Sequence, residues 1–223
     1  VIFPGERPLH ALRQRGVEYV EVRLMDLDPF ETVGITAQTM RFLDVFLLHC
    51  LLSDSPPDSP AEIVAQAHNQ HNVAERGREP GLLLERGDTM ITLKDWGLEL
   101  VAQMGPTAQA LDAAHGSKDY SAAVQSALHG LQHPDTLPSA RVLQAIKEEH
   151  DGAFGTFVRA ESLRTRQAML DMPLPAEVQA RFHALAADSW EAQRKIEASD
   201  TMSFDDYLQE YFSPEHLGVA EAA

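Results

Sequence analysis

Cysteine is almost missing from this 223-residue chain: Cys50 is the only one. No internal disulfide can form, so a disulfide-stapled scaffold is excluded, and the composition fits a reducing, cytoplasmic location. Basic residues are also scarce. Eighteen Lys and Arg stand against 34 Asp and Glu, a formal net charge of −16. A general nucleic-acid or anionic-membrane binder needs a basic surface to meet phosphates, so neither partner is expected. A local basic pocket for a nucleotide stays compatible with this balance. Long apolar runs are lacking as well. The longest, 42–52, is interrupted by Asp44 and His49 and falls short of the about 20 apolar residues that cross a bilayer. There is no nucleophile elbow, Gly-rich phosphate loop or dinucleotide fingerprint. Met is missing from the start; the chain opens on Val1 and is expected to be an excerpt of a longer polypeptide or a processed product.

What is present is a hydrophobic share of 44%, enough for a sizeable core. Thr36 can cap a helix to about Ser53 that is apolar almost all round, and so should be deeply buried. Ser59, Pro60 and Glu62 form a start signal for a helix to about Arg78. Residues 79–81 read as a turn, and 82–93 as short extended pieces around Arg86–Asp88. A helix over 94–114, bent near Gly105–Pro106, is expected next. Further helices are expected at about 118–131, 138–150, 155–171 and 175–198, with a last short one after Ser203.

The conspicuous strand candidate is 17–25, started by Gly16 and ended by Asp28–Pro29. Alternation places Tyr19, Glu21 and Arg23 on one face, about 7 Å apart in succession. Val20, Val22 and Leu24 take the other face, with Glu18 at its beginning. A single strand is unstable. Its partners must come from residues 1–15 and 82–93 or from another part of a longer protein. The charged face has two readings. One is a solvated sheet face with a diagonal Glu–Arg pair that contributes little. The other is a ligand site, where a carboxylate holds a hard cation through oxygen and an arginine clamps phosphate oxygens.

The run "GERPLHAL…RGVEYVEVRLMDLDPFETVGIT…MRFLDVFLLHCLLSDSP" closely resembles the proteobacterial type of glutamate–cysteine ligase. "NVAERGREPGLLL", "LPSARVLQAI" and the acidic "FDDYLQEYF" resemble later segments of the same family. The resemblance covers essentially this whole chain and only the C-terminal part of the family protein. It implies an α+β, helix-rich fold, the C-terminal part of a glutamine-synthetase-like catalytic fold. Residues 1–93 would belong to the catalytic domain, and 94–223 would form a helical region packed on it. It also implies ATP-dependent joining of the L-glutamate γ-carboxylate to L-cysteine through γ-glutamyl phosphate, the first step of glutathione biosynthesis, with Mg²⁺ or Mn²⁺. Glu21 matches a metal-binding carboxylate and Arg23 a catalytic residue contacting ATP phosphate; Glu18 is a weaker metal candidate. The family's other metal ligands, and most contacts to glutamate and cysteine, lie in its N-terminal part. The chain is therefore expected to be inactive without that part as partner. A related ligase with another amine substrate, and a non-catalytic helical scaffold, are the alternatives.

Other candidates carry structural readings. Asp26 and Asp28 follow the strand, and Asp28–Pro29 reads as turn chemistry. Arg78 is expected to pack the 79–81 turn onto the sheet. His68 and His71 have i, i+3 spacing but no evident third ligand. Cys50, inside an apolar helix, is expected to be a buried, inert thiol.

Overall fold

The structure is a computed structural model, and it describes residues 6–23, 25–55 and 57–213. The helices and hairpin follow in chain order: α1 (Pro8–Arg15), α2 (Ala37–Leu52), α3 (Pro60–Arg76), β1 (Leu83–Arg86), β2 (Thr89–Thr92), α4 (Leu93–Gln103) and α5 (Gly105–His115). Then come α6 (Asp119–Gln132), a 3-10 turn (Pro134–Thr136), α7 (Pro138–Glu149), α8 (Phe154–Leu170), α9 (Ala176–Ser199) and α10 (Phe204–Tyr211). The fold is helix-rich α+β, as expected. Two compact units share these elements: Val1–Asp26 with Met172–Ala223, and Leu27–Asp171. Residue 93 lies inside the second unit, at the junction of β2 and α4.

Helix starts follow side-chain chemistry. Thr36, Ser59, Thr92 and Ser203 each accept a hydrogen bond from the backbone N–H three residues on, which satisfies one of the donors that a helix leaves unpaired at its start. The expected bend at Gly105–Pro106 is a full break. Pro106 has no N–H to continue the ladder, so α4 stops at Gln103 and α5 starts at Gly105.

The second unit's core forms where α2, α4, α5 and α6 meet: Val45, Val101, Met104, Ala108 and Val124 are its buried residues. Asp112 on α5 is the one charged side chain buried among the described residues. Its carboxylate accepts the N–H groups of Tyr120 at 2.9 Å and Ser121 at 3.1 Å. It thereby supplies α6 with the cap that Lys118 does not provide. Burial alone would raise the Asp112 pKa. Hydrogen bonds from Ser121, Tyr120 and Ser117 outweigh that and hold it below the usual range.

β1 and β2 pair antiparallel, with Leu84 opposite Ile91 and Glu85 opposite Met90. The Asn69 amide on α3 accepts the Glu85 N–H and donates to the Glu85 carbonyl, both at 2.8 Å. A side chain thus takes the place of a further strand on that edge. Downstream of residue 27, Asp28 builds a tight turn. Its side chain accepts the Phe30 N–H at 3.0 Å, and its own N–H donates to Gly34 O at 2.8 Å. Arg141 on α7 holds this turn, 4.2 Å above the Phe30 ring and 3.7 Å from Asp28 Oδ2. Phe30 also packs edge-on against the buried Phe157 of α8.

The expected strand at 17–25 is corrected here. Residues 17–23 are exposed and belong to no ladder; Leu24 lies outside the described residues. The physical reason is the lack of a partner. Of the two local candidates, residues 8–15 coil into α1, with Pro8 at its first turn, and 83–92 pair with each other. The expected deep burial of α2 is corrected too. Only Val45 is buried on it, while Met40, Leu51 and Leu52 are 54%, 78% and 75% exposed. The apolar stripe of α9 is likewise unpacked: Phe182, Leu185 and Ile196 are all exposed.

Two consequences can be measured. Asp112 has a lowered folded-state pKa, so its contribution is complete above the unfolded value of about 3.9 and fades as pH falls through the folded one. Asp112→Asn should lower the urea midpoint at pH 7, with the gap to the parent chain closing as pH drops below about 4. Arg141→Met should cost about 0.5–1 kcal/mol in equilibrium unfolding, from the lost contact with the Phe30 ring.

Candidate functional site

The candidate site is the segment Glu18–Arg23. Although it forms no ladder here, its side chains keep the two-residue spacing that alternation gives. Arg23 Nε donates to Glu21 Oε2, so Glu21 and Arg23 are paired across the i, i+2 spacing. The Arg23 donation holds the Glu21 carboxyl below its usual range. Glu21 is thus ionised throughout the neutral range, the state a hard cation requires.

The pair is exposed, with side-chain accessibilities of 78% for Arg23 and 39% for Glu21. An ion pair in water gains little over its solvated parts. Either member can therefore be drawn to a ligand at small cost. Glu18 stands apart: its charge acts on Arg15, whose guanidinium is raised first by its bond to Glu6. Arg15 and Glu6 form a two-bond fork at 2.6 and 2.7 Å.

Among the described residues, no group of three His, Cys, Asp or Glu is placed to hold a metal ion. His68 Nδ1 instead sits 3.1 Å from Glu85 Oε1, tying α3 to β1. Arg78 departs from its expected role. The 77–81 turn is held by Arg76, which forks onto Glu79 with two 2.7 Å bonds, while Arg78 is exposed. Cys50 is exposed rather than buried, because α2 is packed on one sector only.

A feature that residue patterns do not reveal lies in the second unit. A cavity of about 780 Å³ opens between α2, the 77–82 turn, α4, α6 and the 3-10 turn. Its floor is apolar, and Arg78 and Lys94 stand at its lining. The one sequence signal was the all-round apolar character of α2. No helix among the described residues is long and apolar enough to cross a membrane.

Residues 1–73 match the family model described as glutamate–cysteine ligase. A glutamate–cysteine ligase of Alcanivorax borkumensis is 38% identical over 211 residues, 95% of this chain and 40% of that protein. One from Bordetella petrii is 41% identical over 208 residues, 92% of this chain and 39% of that protein. A crystal structure of the Francisella tularensis glutamate–cysteine ligase in complex with AMP superposes with a TM-score of 0.83 at 34% identity. It covers 95% of this chain and 41% of that one. The chain thus spans about two-fifths of the length of the curated relatives it matches.

One carboxylate is too few donors for a tight divalent site, since Mg²⁺ and its relatives need several oxygen ligands. Mn²⁺ titrated into this chain alone, followed by water-proton relaxation, should bind no tighter than on the order of millimolar. Tight saturable binding abolished by Glu21→Gln would mean that the ligand set is complete without further chain.

Proposed function

We propose that this chain, a part-length relative of the glutamate–cysteine ligases, forms one wall of an ATP-dependent ligase. That ligase joins the γ-carboxylate of L-glutamate to the amine of L-cysteine. Residues 1–93 are taken as part of its catalytic domain. The observation that carries the reading is the Glu21–Arg23 pair, set in a segment that aligns with the family. The AMP held by the Francisella structure supports a nucleotide as ligand.

The chemistry assigns each charge a task. A glutamate γ-carboxylate oxygen attacks the terminal phosphorus of ATP, ADP leaves, and γ-glutamyl phosphate forms. The cysteine amine then attacks the acyl carbon, phosphate leaves, and the amine loses a proton to give the amide. Arg23 turns its guanidinium from Glu21 to the transferring phosphoryl group, whose equatorial oxygens carry the charge to be neutralised. Glu21, released and ionised, offers one oxygen donor to Mg²⁺ or Mn²⁺. When bound, that ion offsets the charge of the triphosphate. Glu18 is the weaker metal candidate, given its coupling to Arg15. The remaining donors and the amine pocket come from the portion of the ligase that this chain does not contain.

The chain alone should hydrolyse no ATP in response to glutamate and cysteine. Mixed with the portion of the Alcanivorax protein outside its matched 211 residues, it should do so. Glu21→Gln and Arg23→Ala should each reduce that rate at least about a hundredfold, the scale of losing one electrostatic contact to the transition state. Full activity in both variants would refute the assignment of these residues. Replacing cysteine by other amines in the same assay identifies the acceptor.

A further inference from the structure

The cavity beside α2 has no role in the chemistry above, and all its walls come from the second unit. Gln38, Thr39, Phe42, Leu43 and Phe46 reach it from one face of α2, at the three- and four-residue spacing of a helix face. Met40 and Leu51 fall on the opposite face by the same spacing, so their exposure belongs to another surface. The cavity is a recess of its own. Its volume of about 780 Å³ lies within the range of small-molecule pockets, about 300–1,000 Å³.

The lining has two characters. Phe42, Phe46, Leu100, Val101, Met104 and Leu131 make the floor apolar, and the Phe42 and Phe46 rings stack near-parallel, 6.3 Å apart. Arg78 and Lys94 also line the recess; both are exposed, and neither makes a hydrogen bond or ion pair with a described residue. The single acid of the lining, Glu79, is neutralised by the two-bond fork from Arg76. The recess is thus locally cationic in a chain of net charge −16. Lys94 lies in the first turn of α4, where the helix dipole disfavours a cation, so helix energetics do not account for it. A purely apolar occupant would leave both cations unpaired. A small inorganic anion would leave the floor in water, at about 25 cal/mol per Å². The lining is matched by a molecule that is apolar over most of its surface and acidic at one end.

We propose that this recess binds a small amphipathic anion, its alkyl or aryl body on the apolar floor and its carboxylate or phosphate head met by Arg78 and Lys94. An arginine forks either head through two parallel N–H donors, and a lysine adds a point charge. The site stands or falls apart from the ligase reading. A dansyl-labelled undecanoic acid, titrated into the full chain and followed by fluorescence, is the probe, and its methyl ester is the uncharged control. The acid should bind one to one, with a Kd on the order of 10 μM, and at least about tenfold tighter than the ester. Arg78→Gln with Lys94→Gln should erase that preference by weakening the acid and leaving the ester unchanged, whereas a folding defect would weaken both. Ala127→Phe fills the recess from α6 and should weaken acid and ester alike, with circular dichroism unchanged; if it unfolds the chain, the charge variant decides. Displacement at lower concentration by dodecanoate or by dodecyl phosphate assigns the head as carboxylate or phosphate, and displacement by neither would overturn the proposal. So would equal affinity for acid and ester, an unchanged acid affinity in the charge variant, or several probes per chain, as the exposed α9 stripe would give. Release of the probe by the portion of the Alcanivorax protein outside the match would overturn it too, since the recess would then be covered by chain.

Discussion

A peptide backbone must place its N–H and C=O groups somewhere, on water or on a partner. From Tyr19 to Arg23 this chain offers no backbone partner among its described residues. The rest of the structure can be understood from that constraint. The flanking chain is committed elsewhere: α1 uses the backbone before it, and the Asp28 turn, gripped by Arg141, uses the backbone soon after it. Strand β1 of the 83–92 hairpin is met on one edge by β2 and on the other by the Asn69 amide. The segment that carries the candidate site is left with a free edge. Free edges of this sort accept further strands, and the alternation of Val20 and Val22 against Tyr19, Glu21 and Arg23 is suited to that addition.

The same incompleteness appears in the side chains. α2 and α9 both have apolar sequences, and both are largely exposed. Their exposure, and a backbone at 19–23 with no partner among the described residues, both fit the proposed role as one portion of a larger ligase. The net charge of −16 leaves room for local basic spots: at the α2 cavity, Arg78 and Lys94 make no hydrogen bond or ion pair with a described residue.

Local chemistry was legible in the sequence wherever the determinant is local. The Thr36, Ser59 and Ser203 caps, the Asp28–Pro29 turn and the 82–93 pieces depend on neighbouring residues, and the structure has them within a few positions. What escaped depends on distant chain. α1 begins after Arg7, which provides no side-chain cap, so no start signal marked it beyond Pro8. Strand propensity at 17–25 was real, but a ladder is a property of two segments, and propensity describes one. The hydrophobic period of α2 and α9 tells which faces want burial without telling whether the covering chain is present. At the site, the i, i+2 spacing accounts for the Glu21–Arg23 pair.

The Glu21–Arg23 pair suits the proposed site because it is paired and still easily exchanged. Removing either charge from its ligand leaves the other without compensation, and here each is the other's substitute ligand. Because the pair is solvated, water competes with it and the bond is cheap to exchange. Because an exposed glutamate is already ionised at neutral pH, no proton need leave before a cation binds. A buried pair would resist this exchange, since each charge would have to be desolvated anew as it changed partner. Exposure of the pair therefore suits the site's proposed use, in which enclosure by further chain would bring low dielectric together with the metal and phosphate charges that make it favourable.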